Sequence, residues 1–319
     1  MTVPDHHEMP PASRRPWNWV ERGLAAIGLS GRALVIAAPM LWLIVFFLFP
    51  LAVVLKLSVS QMALASPPYL PLLTFAGDGT VQLTLHLSNF LFILEDRLYI
   101  SAYLNSLRIA GLSTVIALLI GYPMAYFIAR SRDPWRNILL MLVILPFWTS
   151  FLLRVYAWMG FLRSNGVINN VLGLFGVGPI TMLQTDFAVY IGIVYTYLPF
   201  MILPLFTTLV KLDTTLLEAA SDLGARPVRA FLTVTLPLSV PGIVAGSMLV
   251  FIPAIGEYVI PTLLGGPDTL MIGSVLWDEF FANRDWPVAA AVAVAMLLVV
   301  VIPILLLQRA QDAVVEARR

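Results

Sequence analysis

The chain has 319 residues, of which 60% are hydrophobic and only 12% charged, with a net charge of +1. That balance excludes an ordinary soluble domain and gives no reason for a nucleic-acid partner; it defines an integral membrane protein in contact with lipid. Because there is no cysteine, disulfides, thiolate chemistry and cysteine-based metal sites are excluded as well.

Residues 1–32 are polar, carry Pro4, Pro10, Pro11 and Pro16 with Arg14, Arg15, Arg22 and Arg32, and read as an N-terminal tail. The apolar run from Ala33 to Leu57 is too long for the core of a secretory signal and has no clear small-residue cleavage site after it, so it is expected to remain as a first span. Further apolar segments at 104–129, 138–161, 187–210, 242–264 and 288–307 each approach the ~20 residues that cross a bilayer. The expectation is an all-α membrane protein with one six-span domain at 33–308 and a C-terminal tail at 309–319. Six spans put both termini on one side. That side holds Arg14, Arg15, Arg22, Arg32, Arg130, Arg132, Arg136, Lys211, Arg226, Arg229, Arg309, Arg318 and Arg319, against Lys56, Arg97, Arg163 and Arg284 opposite, with Arg108 and Arg154 in or near spans. The positive side is expected to be cytoplasmic.

The external segments are more than linkers. Residues 58–103 carry turn signals at Ser66-Pro67-Pro68 and Gly77-Asp78-Gly79, with short interfacial elements expected around Leu85–Leu94. The 162–186 connection has an apolar stretch between Asn165-Gly166 and Gly178-Pro179. The 265–287 loop sets Asp268, Asp278, Glu279 and Asp285 against one Arg284, which makes it the acidic one. Its plainest reading is a solvated loop; the sharper one is a surface that receives a partner.

Between the fourth and fifth spans, residues 211–241 read as two short helices joined by a bend. Thr215-Leu216-Leu217-Glu218 has capping-box spacing, which starts a first helix. Gly224 suits the left-handed residue that ends it, and Pro227 suits the first turn of a second. Ala219 and Ala220 give a low face that another protein can approach, while Val228, Phe231 and Leu232 form an apolar stripe.

Glu257 lies within Pro253-Ala254-Ile255-Gly256-Glu257-Tyr258, inside the fifth apolar segment. A central ionisable residue costs about 2.5–3.5 kcal/mol on insertion scales, so it is expected to face a cavity or a partner. Pro253 and Gly256 permit a local helix break there. Either Glu257 contacts a substrate, or it pairs with Arg154 or Arg108 and holds the bundle, or it sits at the outer interface without a special role. Trp148, Tyr156, Trp158, Tyr190, Tyr195, Tyr197, Tyr258, Trp277 and Trp286 gather toward the same outer half. Each alone is by default an interfacial anchor. Together with the buried carboxylate they suit an organic ammonium, which aromatic faces attract, and disfavour an anion. For such a path, Glu257, Tyr258, Trp148 and Tyr195 are the candidate residues.

No G-x-x-x-x-G-K-[ST] loop is present, and Lys56 and Lys211 are the only lysines, so the chain holds no P-loop nucleotide site. The histidines His6, His7 and His86 are not grouped with carboxylates as zinc ligands are. The chain is therefore expected to bind no cofactor or metal of its own and not to be an enzyme.

The elbow resembles the EAA loop of ABC-importer membrane subunits. Glu218, Ala219, Ala220, Gly224, Leu236 and Pro237 fall at that motif's spacing, with Val234 in place of its usual Ile. The resemblance implies the type I importer permease fold and a loop, including Arg226, that docks in a groove of a cytoplasmic ATPase carrying ATP and Mg. Longer stretches are similar to the membrane subunits of polyamine importers, particularly the putrescine type. They include Leu145-Pro146-Phe147-Trp148-Thr149-Ser150, Ala188-Val189-Tyr190-Ile191-Gly192, Gly246-Ser247-Met248-Leu249-Val250, Leu264-Gly265-Gly266-Pro267-Asp268 and Asn283-Arg284-Asp285-Trp286. This likeness implies a bacterial inner-membrane permease working as a heterodimer with a second, homologous permease subunit. Two ATPase subunits and a periplasmic polyamine-binding protein, received at Asp268, Asp278, Glu279 and Asp285, complete the implied assembly. Putrescine is the expected substrate, spermidine the next. The rival readings are an ABC importer for another small solute and an ion-coupled secondary transporter of organic cations, in which Glu257 carries the coupling proton. An adjacent gene for a P-loop ATPase would favour the importer.

Overall fold

The computed structural model describes residues 31–75 and 81–316. The tail at 1–30 with His6 and His7, the Gly77-Asp78-Gly79 turn and the last three residues lie outside the described residues. The chain divides into two units, residues 1–56 and 57–319.

The first unit is described from Gly31. Its helix α1 runs through Gly31–Leu43, a π turn at Ile44–Leu48 and Phe49–Ser58, the last residues passing into the second unit. Pro50 lacks an N–H, and the widened turn just before it is where the hydrogen-bond ladder changes register. The Val35–Ser58 stretch is 24 residues long, and its apolar window is 0% buried. Its side chains from Val35 to Pro50 are exposed in this chain.

The second unit continues with a small antiparallel hairpin, β1 (Leu73–Phe75) and β2 (Val81–Leu83), with Leu73 opposite Leu83. Helix α2 (Ser88–Glu95) follows in the stretch expected to be interfacial. Helix α3 (Arg97–Arg130) has 34 residues and starts earlier than the expected 104, because the Asp96 carboxylate accepts the Leu98 N–H at 2.8 Å and caps it. Helix α4 (Trp135–Ile144) ends in a 3₁₀ turn at Leu145–Trp148, and α5 (Phe151–Leu162) then leaves at a sharp angle; the pair Trp135–Trp148 and Phe151–Leu174 is bent by 92°. The expected straight span at 138–161 is thus broken at Thr149-Ser150. Pro146 cannot donate in an α-helical ladder, which leaves the tighter turn as the local solution.

After α6 (Val167–Leu174), helix α7 (Asp186–Leu209) crosses in 24 residues, followed by α8 (Thr215–Asp222). Helix α9 runs from Pro227–Ala230 through a π turn at Phe231–Thr235 to Leu236–Ile255. The 242–264 span therefore begins about four turns early and ends nine residues early. The second arm of the elbow is not a separate short helix but the start of this span. Short helices α10 (Val259–Leu264) and α11 (Ile272–Trp277) follow, the latter extended by a π turn at Asp278–Ala282, before α12 (Trp286–Glu316). Its apolar portion, Trp286–Ile302, is shorter than a full unbroken span. Among the described residues four helices are long and apolar enough to cross a membrane, and five if the bent pair counts as one.

Helices α3, α7 and α9 form the packed centre. Tails of lipid are as apolar as Leu, so close approach and polar ties decide helix association here. Gly242 and Gly246 of α9 lie against Thr208 and Met201 of α7, where an added Cβ would come within 2.9 Å of a side-chain atom at each position. Tyr122 and Ser239 share a buried hydrogen bond of 2.9 Å between α3 and α9. Tyr103 donates to the Val292 carbonyl at 2.7 Å, and the Ile272 N–H donates to Ser106 Oγ at 2.8 Å. These ties fasten α11 and α12 to the N-terminal half of α3. At the start of α7, Asp186 accepts from Thr269 Oγ1 at 2.7 Å and pairs with Arg108.

Candidate functional site

The elbow forms, with one change to its start. Thr215 is the first helical residue rather than the cap, and no Thr215–Glu218 capping box is present; the Asp213 carboxylate accepts the Thr215 N–H at 3.0 Å instead. A carboxylate reaching two residues forward gives the same satisfaction as a cap hydroxyl, and the negative charge suits a helix N-terminus. That backbone hydrogen bond holds the Asp213 carboxyl below its ordinary range. The stop is as expected: Gly224 has φ +81, its N–H donates to Ser221, and the Ala225 N–H reaches back to Ala220 at 3.0 Å. This is a Schellman closure. Pro227 then opens α9.

Phe231 anchors the second arm, packing edge-on against Tyr122 at 5.6 Å and Tyr126 at 6.0 Å. A cavity of 330 Å³ lies beneath the bend, lined by Tyr126, Leu217, Ser221, Ala225, Phe231 and Thr235 among others. On the other side, Glu218, Ala219 and Arg226 are exposed, while Leu223 and Val228 are 89% and 70% exposed. Leu236 is half-buried and Pro237 exposed at the root of the long helix. The outer side of the bend thus presents exposed apolar side chains beside the charges of Glu218 and Arg226.

The fifth span breaks where Pro253 and Gly256 permit it. Glu257 follows Ile255 directly across Gly256 and is only 8% exposed. Its Oε1 accepts the Val259 and Ile260 N–H groups at 3.2 and 3.4 Å, so the carboxylate caps α10. Its Oε2 accepts the Tyr197 hydroxyl at 2.5 Å. Gly273 presses on this break: a Cβ there would meet the Gly256 and Glu257 carbonyls at 2.6 and 2.7 Å. Neither arginine pairs with Glu257. Arg108 is bound to Asp186, and Arg154 has buried Nε and Nη1 atoms without a hydrogen-bond partner. The alternative of a structural pair with Arg154 or Arg108 is therefore not what this chain forms; a tyrosine and two backbone amides hold the carboxylate.

The aromatic candidates stand in separate pairs. Tyr195 meets Trp158 edge-on at 5.4 Å, Tyr258 stacks on Trp277 at 4.6 Å, and Trp148 is 74% exposed. Within this chain they do not converge on Glu257 as one box. Tyr197 was among the gathered aromatics but not among the candidate path residues, since nothing in the sequence separates it from its neighbours.

The acidic loop is divided. Asp268 and Asp278 are exposed, whereas Glu279 accepts from the Tyr99 hydroxyl at 2.7 Å and Asp285 accepts the Val288 N–H at 3.0 Å to cap α12. Burial pushes the Asp285 carboxyl up, with the Val288 N–H opposing it. Two of the four acids thus have structural work before any partner arrives.

Residues 117–316 match the model of the binding-protein-dependent transport system inner membrane component family. The chain belongs to that family: it is a multi-pass inner-membrane permease of an ABC importer, a transport subunit and not an enzyme. It is 40% identical over 271 residues, 84% of this chain and 90% of the relative, to the spermidine/putrescine transport system permease protein PotB of Haemophilus influenzae. It is 38% identical to the protein of that name from Escherichia coli, over 84% of this chain and 94% of the other. Its fold matches the crystal structure of a bacterial ABC transporter involved in the import of the acidic polysaccharide alginate, with a TM-score of 0.66 and 18% identity over 94% of this chain and 99% of the other.

Proposed function

We propose that this permease carries a polyamine, putrescine foremost and spermidine second, across the inner membrane into the cytoplasm. The observation that carries the reading is the 40% identity over 84% of the chain to a spermidine/putrescine permease. The chemistry of the spans agrees, since the fifth span retains a buried carboxylate and the surrounding helices are rich in aromatic rings.

In this reading the chain pairs with a second homologous permease, and the arginine-rich side, with both termini, faces the cytoplasm. Two ATPase subunits, which hold ATP and Mg, dock at Glu218, Ala219, Ala220, Gly224 and Arg226. Because α9 is continuous from Pro227 to Ile255, movement of the docked elbow is delivered along one helix to the break at Glu257. Such rigid-body transmission opens and closes the path between the permeases. Glu257 is the principal charge along it, with Tyr258, Trp148 and Tyr195 offering aromatic faces, some of them completed by the partner permease. A periplasmic binding protein delivers substrate at the outer loop, where Asp268 and Asp278 are free to meet it and Glu279 and Asp285 shape the surface.

The test is uptake of labelled putrescine and spermidine by the reconstituted complex, each competing with the other. Saturable uptake of either, inhibited by the other, is expected. Indifference to both, with uptake of some other solute, would assign a different substrate.

A further inference from the structure

A buried carboxylate, Glu257, and a half-buried guanidinium, Arg154, stand on elements that pack together without pairing. Glu257 is enclosed and fully hydrogen-bonded, as described above. Arg154, on α5 just past the bend, has Nε and Nη1 enclosed and unpartnered. Its guanidinium carbon lies over the Phe147 ring at 5.6 Å and the Phe151 ring at 6.0 Å. Enclosed N–H donors without an acceptor are costly, and the two on Arg154 leave the guanidinium with an unused capacity to bind an anion.

The rings between the two charges are continuous. Phe147 meets Phe200 edge-on at 5.1 Å, Phe200 lies 6.2 Å from Tyr197, and Tyr197 holds Glu257. The elements carrying the charges also touch, since α5 packs on α10, the helix that Glu257 caps. Each charge stands next to a break in its span, Thr149-Ser150 for one and Gly256 for the other. Breaks of this kind let a segment shift without unfolding the rest of the helix.

We propose that Arg154 is the resident counter-cation of the membrane path, exchanging with the substrate ammonium at Glu257 so that its arrival on the carboxylate expels the bound polyamine. The proposal rests on Glu257 being the substrate's carboxylate. In the state described here the arginine waits on aromatic faces and Glu257 is held by Tyr197 and the α10 amides. When an ammonium has taken the place of the Tyr197 hydroxyl, a shift of α5 along α10 brings a second cation to the same carboxylate. One carboxylate cannot balance both, and only the untethered cation can leave. No proton or covalent bond changes hands; the step is an exchange of ion partners.

The test is a double-mutant cycle in the reconstituted complex with its ATPase and binding protein, reading KM, kcat and retention of labelled polyamine by the permease. Arg154→Met is expected to lower KM and kcat together, by about fivefold or more, and to increase retained substrate, because binding continues while expulsion fails. Arg154→Lys, which keeps a cation, is expected to restore most of the turnover. In a Glu257→Gln background, Arg154→Met is expected to add little. An equal effect of Arg154→Met in the two backgrounds would overturn the exchange. So would failure of Arg154→Lys to assemble, which would make the guanidinium a packing group. Wild-type uptake by Glu257→Gln alone would instead remove the reading of Glu257 on which the exchange depends, a result distinguishable from both.

Discussion

Both oxygens of Glu257 already accept hydrogen bonds, Oε2 from the Tyr197 hydroxyl and Oε1 from the α10 amides, so a cation arriving at the carboxylate competes with those donors. Glu257→Gln keeps the size and one oxygen to accept the α10 amides while deleting the charge, its amide nitrogen donating to the Tyr197 oxygen where the carboxylate accepted. Uptake of polyamine is expected to fall at least tenfold, about the 1.4 kcal/mol that one charge-assisted contact supplies, with assembly unchanged by co-purification. Wild-type uptake would place the substrate's ligands on the partner permease. Tyr197→Phe is expected to lower KM, since the hydroxyl competes with the ammonium for Oε2, and a raised KM would show that the tyrosine instead orients the carboxylate for substrate. The cost of Glu257 was legible in the sequence because an ionisable residue stands out in an apolar run. Its partner was not: Tyr197 lies 60 residues away, one of several aromatics with the same interfacial default. The unpaired state of Arg154 was equally hidden, since the sequence left a pair with Glu257 open as one of three readings.

At the scale of single elements, the elbow was legible where local chemistry fixes it and misread where tertiary continuity does. Gly224 and Pro227 set the stop and the restart through backbone conformation alone, and both are where the spacing put them. The start moved because the Asp213 carboxylate takes the Thr215 N–H, the amide that the Glu218 carboxylate would accept in a capping box. Nothing lies within 4 Å of a Cβ added at Gly224, so substitution there acts through backbone strain, about 1–2 kcal/mol for a bulky residue. Gly224→Val is therefore expected to uncouple ATP hydrolysis from uptake, while Gly224→Asn, which tolerates the left-handed region, retains coupling. Equal transport by both would separate the bend from coupling. Asp213 adds a pH dependence to this element. Its carboxyl is held below the ordinary value in the folded state, so its contribution is complete above the unfolded pKa and is lost as pH falls through the lower, folded one. Amide exchange at Thr215 is expected to quicken on acidification through that window, and Asp213→Ala to quicken it at neutral pH. An exchange rate independent of pH beyond the intrinsic chemical dependence would contradict the cap. The broken third span had a visible cause in Pro146, but a single proline in a membrane helix bends or does not according to its neighbours, so the 92° turn could not be read from it.

For the whole molecule, composition and the spacing of apolar runs were enough for the class, because few other chains place so much hydrophobic surface in segments of bilayer length. They could not show that the elbow's second arm and the fifth span are one helix from Pro227 to Ile255, since polar residues around Arg229 and Thr233 hide the continuity. That continuity makes the ATP-driven reading mechanically direct, since the bend proposed to meet the ATPase and the break before Glu257 lie at the two ends of one element. Charge reversal at exposed Glu218 is accordingly expected to abolish uptake and weaken ATPase co-purification without removing the chain from the membrane. The most direct measurement of the central claim is uptake of labelled putrescine and spermidine into proteoliposomes holding the full complex, with and without ATP inside, with and without the binding protein, and with a protonophore. Accumulation that requires ATP and the binding protein and survives the protonophore is the predicted result. Polyamine uptake by the permease without its ATPase, abolished by the protonophore, would contradict it and make Glu257 the carboxylate of an ion-coupled carrier.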